Sequence, residues 1–171
     1  MVAVQVVGGS EQLKYAVPAF SQTGLSARFT CHRPASPFPD GLPNRGSLTL
    51  ALWQPGMDPV LEEALFSDGT PVLHAWWGEH RASVGPFVAR GASPCPACQR
   101  SVTGTGGPVH PLLASWALSW ASLEAQAYLS HGTSELIGAC WSWDLRDPGL
   151  SSTTWPHRPE CPTLGCARPS P

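Results

Sequence analysis

Charge is scarce in this sequence: Asp, Glu, Lys and Arg supply 13% of its 171 residues, against roughly 25% in an average soluble domain. Lys14 is the one lysine, the arginines are spread along the chain and the net charge is −2. There is no basic stripe to attract a phosphate backbone, so no nucleic-acid partner is expected. No apolar run approaches the roughly 18 residues that cross a bilayer, and the opening from Met1 to Val7 lacks the positively charged start of a secretory signal. A cytoplasmic protein without a membrane partner is expected. The H-E-x-x-H, G-x-S-x-G and phosphate-loop patterns are missing too, which leaves hydrolase chemistry without a candidate.

What is present is one domain's length, with hydrophobic residues at 42%, 17 glycines and 19 prolines. Val2 to Val7 reads as a strand, Gly8-Gly9-Ser10 as a turn and Glu11 to Thr23 as a helix that Pro18 kinks or splits. Ser26 to Cys31 returns as a second strand, the opening of a mononucleotide-binding half-fold. His32 to Gly46, with Pro34, Pro37, Pro39 and Pro43, reads as an irregular loop standing where a helix is usual. Ser47 to Trp53 is a third strand. Asp58-Pro59 then supplies an N-cap with proline at the first helical position for a helix to Ser67. Thr70 to Trp77 and Arg81 to Val88 form a hairpin around Gly78-Glu79-His80, which makes the sheet mixed.

Pro111 to Ser130 is the longest helix, with Ser115, Ser119, Ser122, Gln126 and Ser130 on one stripe and Leu113, Trp116, Trp120, Leu123 and Ala127 over much of the rest. Glu124 falls on the apolar side, a place for a bracing carboxylate held by backbone N–H groups or an arginine. Thr133 to Leu145 reads as a strand, and the chain from Asp147 as a loop-like tail. Eight tryptophans are many for such a core. Trp76, Trp77, Trp141 and Trp143 are expected to mark a partner surface.

Six cysteines without a secretory signal point to metal before disulfides. Cys95-Pro96-Ala97-Cys98 is a C-x-x-C, and Cys161 and Cys166 form a wider second pair. Two such knuckles can wrap Zn²⁺ tetrahedrally at Zn–S of about 2.3 Å. A redox C-x-x-C is the competitor, but it would open a helix and leave the distal pair unexplained; free thiols are the other alternative. Four thiolate ligands leave no open position, so the zinc would be structural and would fasten the tail to the domain. Cys31 and Cys140 read as small apolar residues of strands and His74 as a satisfied core histidine; His157, four residues before Cys161, is a minor alternative to one of the cysteine ligands. At the first turn, the third and sixth positions from Gly8 are Ser10 and Leu13, so the G-x-G-x-x-G fingerprint fails. The second strand ends Phe29-Thr30-Cys31-His32 without a ribose-binding acid, and the nearest is Asp40. ATP is not expected as a cofactor, and no catalytic or cofactor-binding residue is assigned.

The Rossmann-like opening, the strand Val84-Gly85-Pro86-Phe87-Val88 running into Gly91-Ala92-Ser93-Pro94-Cys95, the helix around Ser122 to Leu129 and the closing Pro156 to Cys161 together resemble the E1-like, ThiF/MoeB-type proteins. The resemblance is greatest to the divergent branch found with YcaO cyclodehydratases in clusters making thiazole/oxazole-modified peptides, bacteriocins among them. It implies an α/β, reduced Rossmann-like three-layer fold with a mixed sheet and a four-cysteine zinc site, Cys95, Cys98, Cys161 and Cys166, joining a loop to the C-terminal tail. Residues 1–171 would form one truncated domain, with 147–171 as its zinc-knuckle tail.

The resemblance further implies a subunit in the biosynthesis of a ribosomally made, post-translationally modified peptide, with a YcaO-type enzyme and the precursor peptide as partners and a homodimer as a further possibility. Larger relatives carry an N-terminal recognition domain ahead of the first strand, and this sequence opens at that strand. The failed glycine fingerprint favours a non-catalytic partner. The alternatives are an ATP-dependent adenylating enzyme that activates a carboxylate, and a zinc-stabilised interaction module.

Overall fold

The computed structural model describes residues 4–36, 48–100 and 108–166. Its ten elements are β1 (Val4–Gly8), α1 (Ser10–Ser21), β2 (Ala27–Cys31), β3 (Leu48–Ala51), α2 (Pro59–Asp68), β4 (Val72–Trp77), β5 (Arg81–Val88), α3 (Pro111–His131), β6 (Ala139–Asp144) and β7 (Leu150–Thr154). They build one seven-stranded sheet in the order β2-β1-β3-β4-β5-β6-β7. The first four strands in that order are parallel, and β5, β6 and β7 continue the sheet antiparallel. This is the mixed α/β sheet expected from the sequence.

The position of β1 follows from its composition. Every residue from Val4 to Gly8 is buried, as an apolar run flanked by parallel neighbours on both sides must be. Val6 lies in register with Phe29 of β2 and Leu50 of β3. One layer, α1 and α3, covers Val4, Val6, Leu48, Leu50, Leu73 and Ala75. On the opposite face α2 brings Leu61, Leu65 and Phe66 against Val7, Ala51, Val72 and Val88, and the cysteines Cys95, Cys98, Cys161 and Cys166 complete this second core. The layers are helices, sheet, and helix with cysteine cluster.

Several expectations need correcting. Pro18 does not split α1 into two short pieces; it lies inside one continuous helix. Pro18 is exposed, so the carbonyl that loses its intrahelical donor there can be hydrated. The strand expected over Thr133 to Leu145 is confined to Ala139–Asp144, preceded by a turn at Glu135 and Leu136 and a single bridge from Ile137 to Phe87. Leu150–Thr154, expected as loop, pairs with β6; its Ser-Ser-Thr-Thr run carries no apolar alternation because all five residues are exposed. Leu123 is 67% exposed whereas Ser122 is 6% exposed, because the buried face of α3 is centred on Ala114, Ala117, Leu118, Ala121 and Ala125. Most of the proline-rich loop, including Asp40, lies outside the described residues.

Candidate metal centre

The stretch after β5 leaves the sheet through Gly91, whose φ of +81° is a left-handed conformation open to glycine at little cost. Its amide donates to the carbonyl of Gly165 at 2.6 Å, which docks the end of the chain beside the C-x-x-C. Gly165 also has φ of +83°. That φ favours glycine, and a Cβ there would also displace the side chain of Arg90, whose Cγ would lie 2.6 Å away.

Cys95 and Cys98 form a turn in which the amides of Cys98 and Gln99 both donate to the Cys95 carbonyl, at 2.9 and 3.2 Å. In the tail, the Cys161 amide donates to the Arg158 carbonyl and the Cys166 amide to the Thr163 carbonyl. The first pair of sulfurs is thus set by one tight turn and the second by two successive turns, and the two segments face one another. The four Sγ atoms all lie within 4.8 Å of one another and all four residues are buried. The Sγ of Cys95 is 3.5 Å from that of Cys161, and that of Cys98 is 4.0 Å from that of Cys166. A tetrahedral ion with metal–sulfur distances near 2.3 Å separates its sulfurs by about 3.8 Å, so these spacings bracket what zinc requires.

The surroundings suit sulfur that carries charge. The amide of Cys95 donates to Cys166 at 3.2 Å and that of Arg158 to Cys98 at 3.5 Å. Hydrogen bonds from the Thr163 hydroxyl and amide hold the Cys161 thiol down at about 6. Burial has the opposite effect on Cys166, pushing it up to about 12, and it raises Cys98 as well. Without a cation, thiolate charge therefore concentrates at Cys161; a divalent ion would draw the protons from the rest. Four close, buried cysteines of this kind could bind a metal such as zinc. The C-x-x-C opens no helix, unlike a redox motif of the thioredoxin type. His157 is half-buried and outside the sulfur group.

A second feature lies at the carboxyl ends of the parallel strands, where α/β sheets place their ligands. A cavity of about 350 Å³ opens there, lined by Gly9, Gln12, Arg33, Trp53 and Trp76 among others. The glycine turn at its edge has a packing role: a Cβ on Gly8 would stand 2.9 Å from the Leu52 Cβ. The far wall is fixed by a carboxylate that composition and spacing did not single out. Glu62, 2% exposed, accepts from the Trp53 indole at 3.0 Å, from the Gly56 amide at 2.8 Å and from the Asp58 amide at 3.3 Å. Asp58 caps α2 by accepting from the Leu61 amide at 3.1 Å, while its other oxygen lies 2.6 Å from His32 Nε2. The signal was available: an N-cap Asp followed four residues later by Glu is a displaced capping box.

The remaining candidates divide. His74 is buried, with Nδ1 3.0 Å from the Trp53 carbonyl, as a satisfied core histidine should be. Cys140 is buried inside β6, but Cys31 is exposed at the edge of the sheet and is no core residue. Glu124 does brace the fold, through side chains where backbone or arginine partners were expected: it accepts from the Trp120 indole at 3.3 Å and from the Ser134 hydroxyl at 2.6 Å. Of the four tryptophans expected at the surface, Trp77 is 7% exposed and packs edge-on to Tyr15. Trp76, Trp141 and Trp143 are half-buried, the last two against the helical core. No helix among the described residues is long and apolar enough to cross a membrane.

No protein-family model matches the chain, and no curated protein matches it. Solved structures do match. The heterocyclase TruD is 16% identical with a TM-score of 0.69 over 96% of this chain and 27% of its own. A heterocyclase in complex with substrate and cofactor is 16% identical with a TM-score of 0.70 over 96% of this chain and 25% of its own. MccB of E. coli is 10% identical with a TM-score of 0.73 over 95% of this chain and 65% of its own. The chain thus spans about a quarter of the heterocyclases' length, and at these identities the likeness is one of fold.

Proposed function

We propose that this chain is a non-catalytic E1-like subunit in the biosynthesis of a ribosomally made, modified peptide, in which it partners a YcaO-type cyclodehydratase and presents the precursor peptide. The observation that carries the reading is the convergence of Cys95, Cys98, Cys161 and Cys166 on a fold shared with heterocyclase structures. In this reading the four cysteines hold a structural Zn²⁺, and residues 1–171 act as one domain whose tail, from residue 147, is fastened by that ion. The ion supplies cross-linking and no reaction chemistry, because four sulfur ligands fill its coordination sphere. The packing role of Gly8 against Leu52 and the failed glycine fingerprint support a partner over an adenylating enzyme.

Reconstitution tests this. Added to the YcaO-type enzyme and precursor peptide encoded beside it, the protein should increase the cyclisation rate or lower the KM for the peptide. If neither changes, the reading is wrong. One observation favours a second reading, an ATP-dependent adenylating enzyme: the cavity beside Gly9 and Arg33. Calorimetric titration with ATP separates the two, since low-micromolar binding would support adenylation.

A further inference from the structure

Strand β7 is the outermost strand of the sheet, and all five of its residues, Leu150-Ser151-Ser152-Thr153-Thr154, are exposed. Trp155 donates its amide to the Gly138 carbonyl at 2.8 Å. Antiparallel pairing alternates, so Ser151 and Thr153 direct their backbone groups toward β6, while Leu150, Ser152 and Thr154 direct theirs away from the sheet. Natural sheets guard such an edge with charge, proline, a bulge or a covering element. β7 has none of the first three: its five residues are uncharged, free of proline and in unbroken register with β6. The opposite edge, β2, carries an exposed Arg28.

The outward row has a shelf beside it. On the face shared with α3, Leu150 stands opposite Trp143 and Ser152 opposite Trp141. Trp141 packs on Trp120 at 6.2 Å, and Trp120 on Trp116 at 5.5 Å. All four indoles are half-buried, and the small side chains of Ser152 and Thr154 leave this apolar row open toward the edge.

We propose that the free edge of β7 is a strand-addition site for an extended, uncharged peptide segment of another protein, with apolar residues at alternate positions facing the tryptophan row. This deepens the peptide-presenting reading above and rests on it only for the choice of occupant. Main-chain hydrogen bonds to Leu150, Ser152 and Thr154 would supply affinity, and the indoles would select the alternating side chains.

The test uses the full chain and a fluorescein-labelled heptapeptide of alternating valine and threonine. Saturable binding is expected by anisotropy, with slowed amide hydrogen exchange at Ser152 and Thr154. Ser152→Ala should bind as the unaltered protein does. Ser152→Pro deletes only an outward N–H, a place where an edge strand accepts proline, and should weaken binding by roughly tenfold or more with little change in melting temperature. N-methylating alternate amides of the peptide should have the same effect on the unaltered protein, which keeps the test valid if Ser152→Pro misfolds. Absent binding, indifference to N-methylation, or exchange slowed elsewhere would overturn the proposal. So would protection of the same amides in a dimer without peptide, which would assign the edge to a second copy. No modification enzyme enters this experiment, so its failure leaves the reconstitution result standing.

Discussion

The amide of Cys95 donates to the sulfur of Cys166 at 3.2 Å, across 71 positions of sequence. This bond joins the loop after β5 to the end of the described chain, and the strands β6 and β7 lie between the two in sequence. The sulfur cluster therefore closes a long segment, and opening it frees the tail from the second core.

Replacing Cys166 with serine should abolish stoichiometric metal binding and lower stability by at least about 3 kcal/mol, some 6 to 12 °C in Tm. Metal analysis with a thermal melt checks both. Replacing the exposed Cys31 should alter neither.

Glu62→Gln should cost about 2 to 3 kcal/mol. The carboxylate accepts from Trp53, Gly56 and Asp58, and the amide group of Gln would turn a donor toward some of these donors. Urea unfolding measures the loss.

Gly8→Ala should destabilise by about 1 to 3 kcal/mol, because the new methyl meets Leu52 at 2.9 Å. Leu52→Ala in the same chain removes the Cδ1 contact, also at 2.9 Å, while keeping the Cβ one, and should recover part of that loss, a recovery not expected if Gly8 served only to admit a ligand. A double-mutant cycle by urea unfolding reads the coupling.

Burial lowers the His74 pKa below its ordinary 6.5, against the opposing pull of Glu62 and the Trp53 carbonyl. The unfolded chain then takes the proton first as pH falls. Stability contributed by neutral His74 is present above pH 6.5 and declines below it, by up to about 1.4 kcal/mol per pH unit for one proton. His74→Gln should flatten that part of the acid limb when unfolding free energies are compared between pH 7.5 and 5.5.

The parallel half of the sheet was legible because Val4 to Val7, Leu48 to Ala51 and the Asp58-Pro59 cap announce themselves in local chemistry. The β4–β5 hairpin was legible from its short connection. β7 was not, since an edge strand of Ser and Thr has no buried face to impose an apolar alternation. Of the metal centre, the four cysteines and their spacing could be read directly from the chain. That the Cys95 amide bonds to Cys166 and the Arg158 amide to Cys98 could not, because those relations arise only when the C-x-x-C and the tail meet. Glu124 illustrates the same limit: its bracing role was readable from the sequence, its partners Trp120 and Ser134 were not.

Whether the four sulfurs hold one ion is tested most directly by X-ray absorption at the zinc edge of the purified full chain, combined with metal stoichiometry. One zinc per chain with four sulfur scatterers near 2.3 Å is the predicted result. Metal-free protein retaining its fold, or zinc bound through nitrogen or oxygen with fewer than four sulfurs, would contradict it.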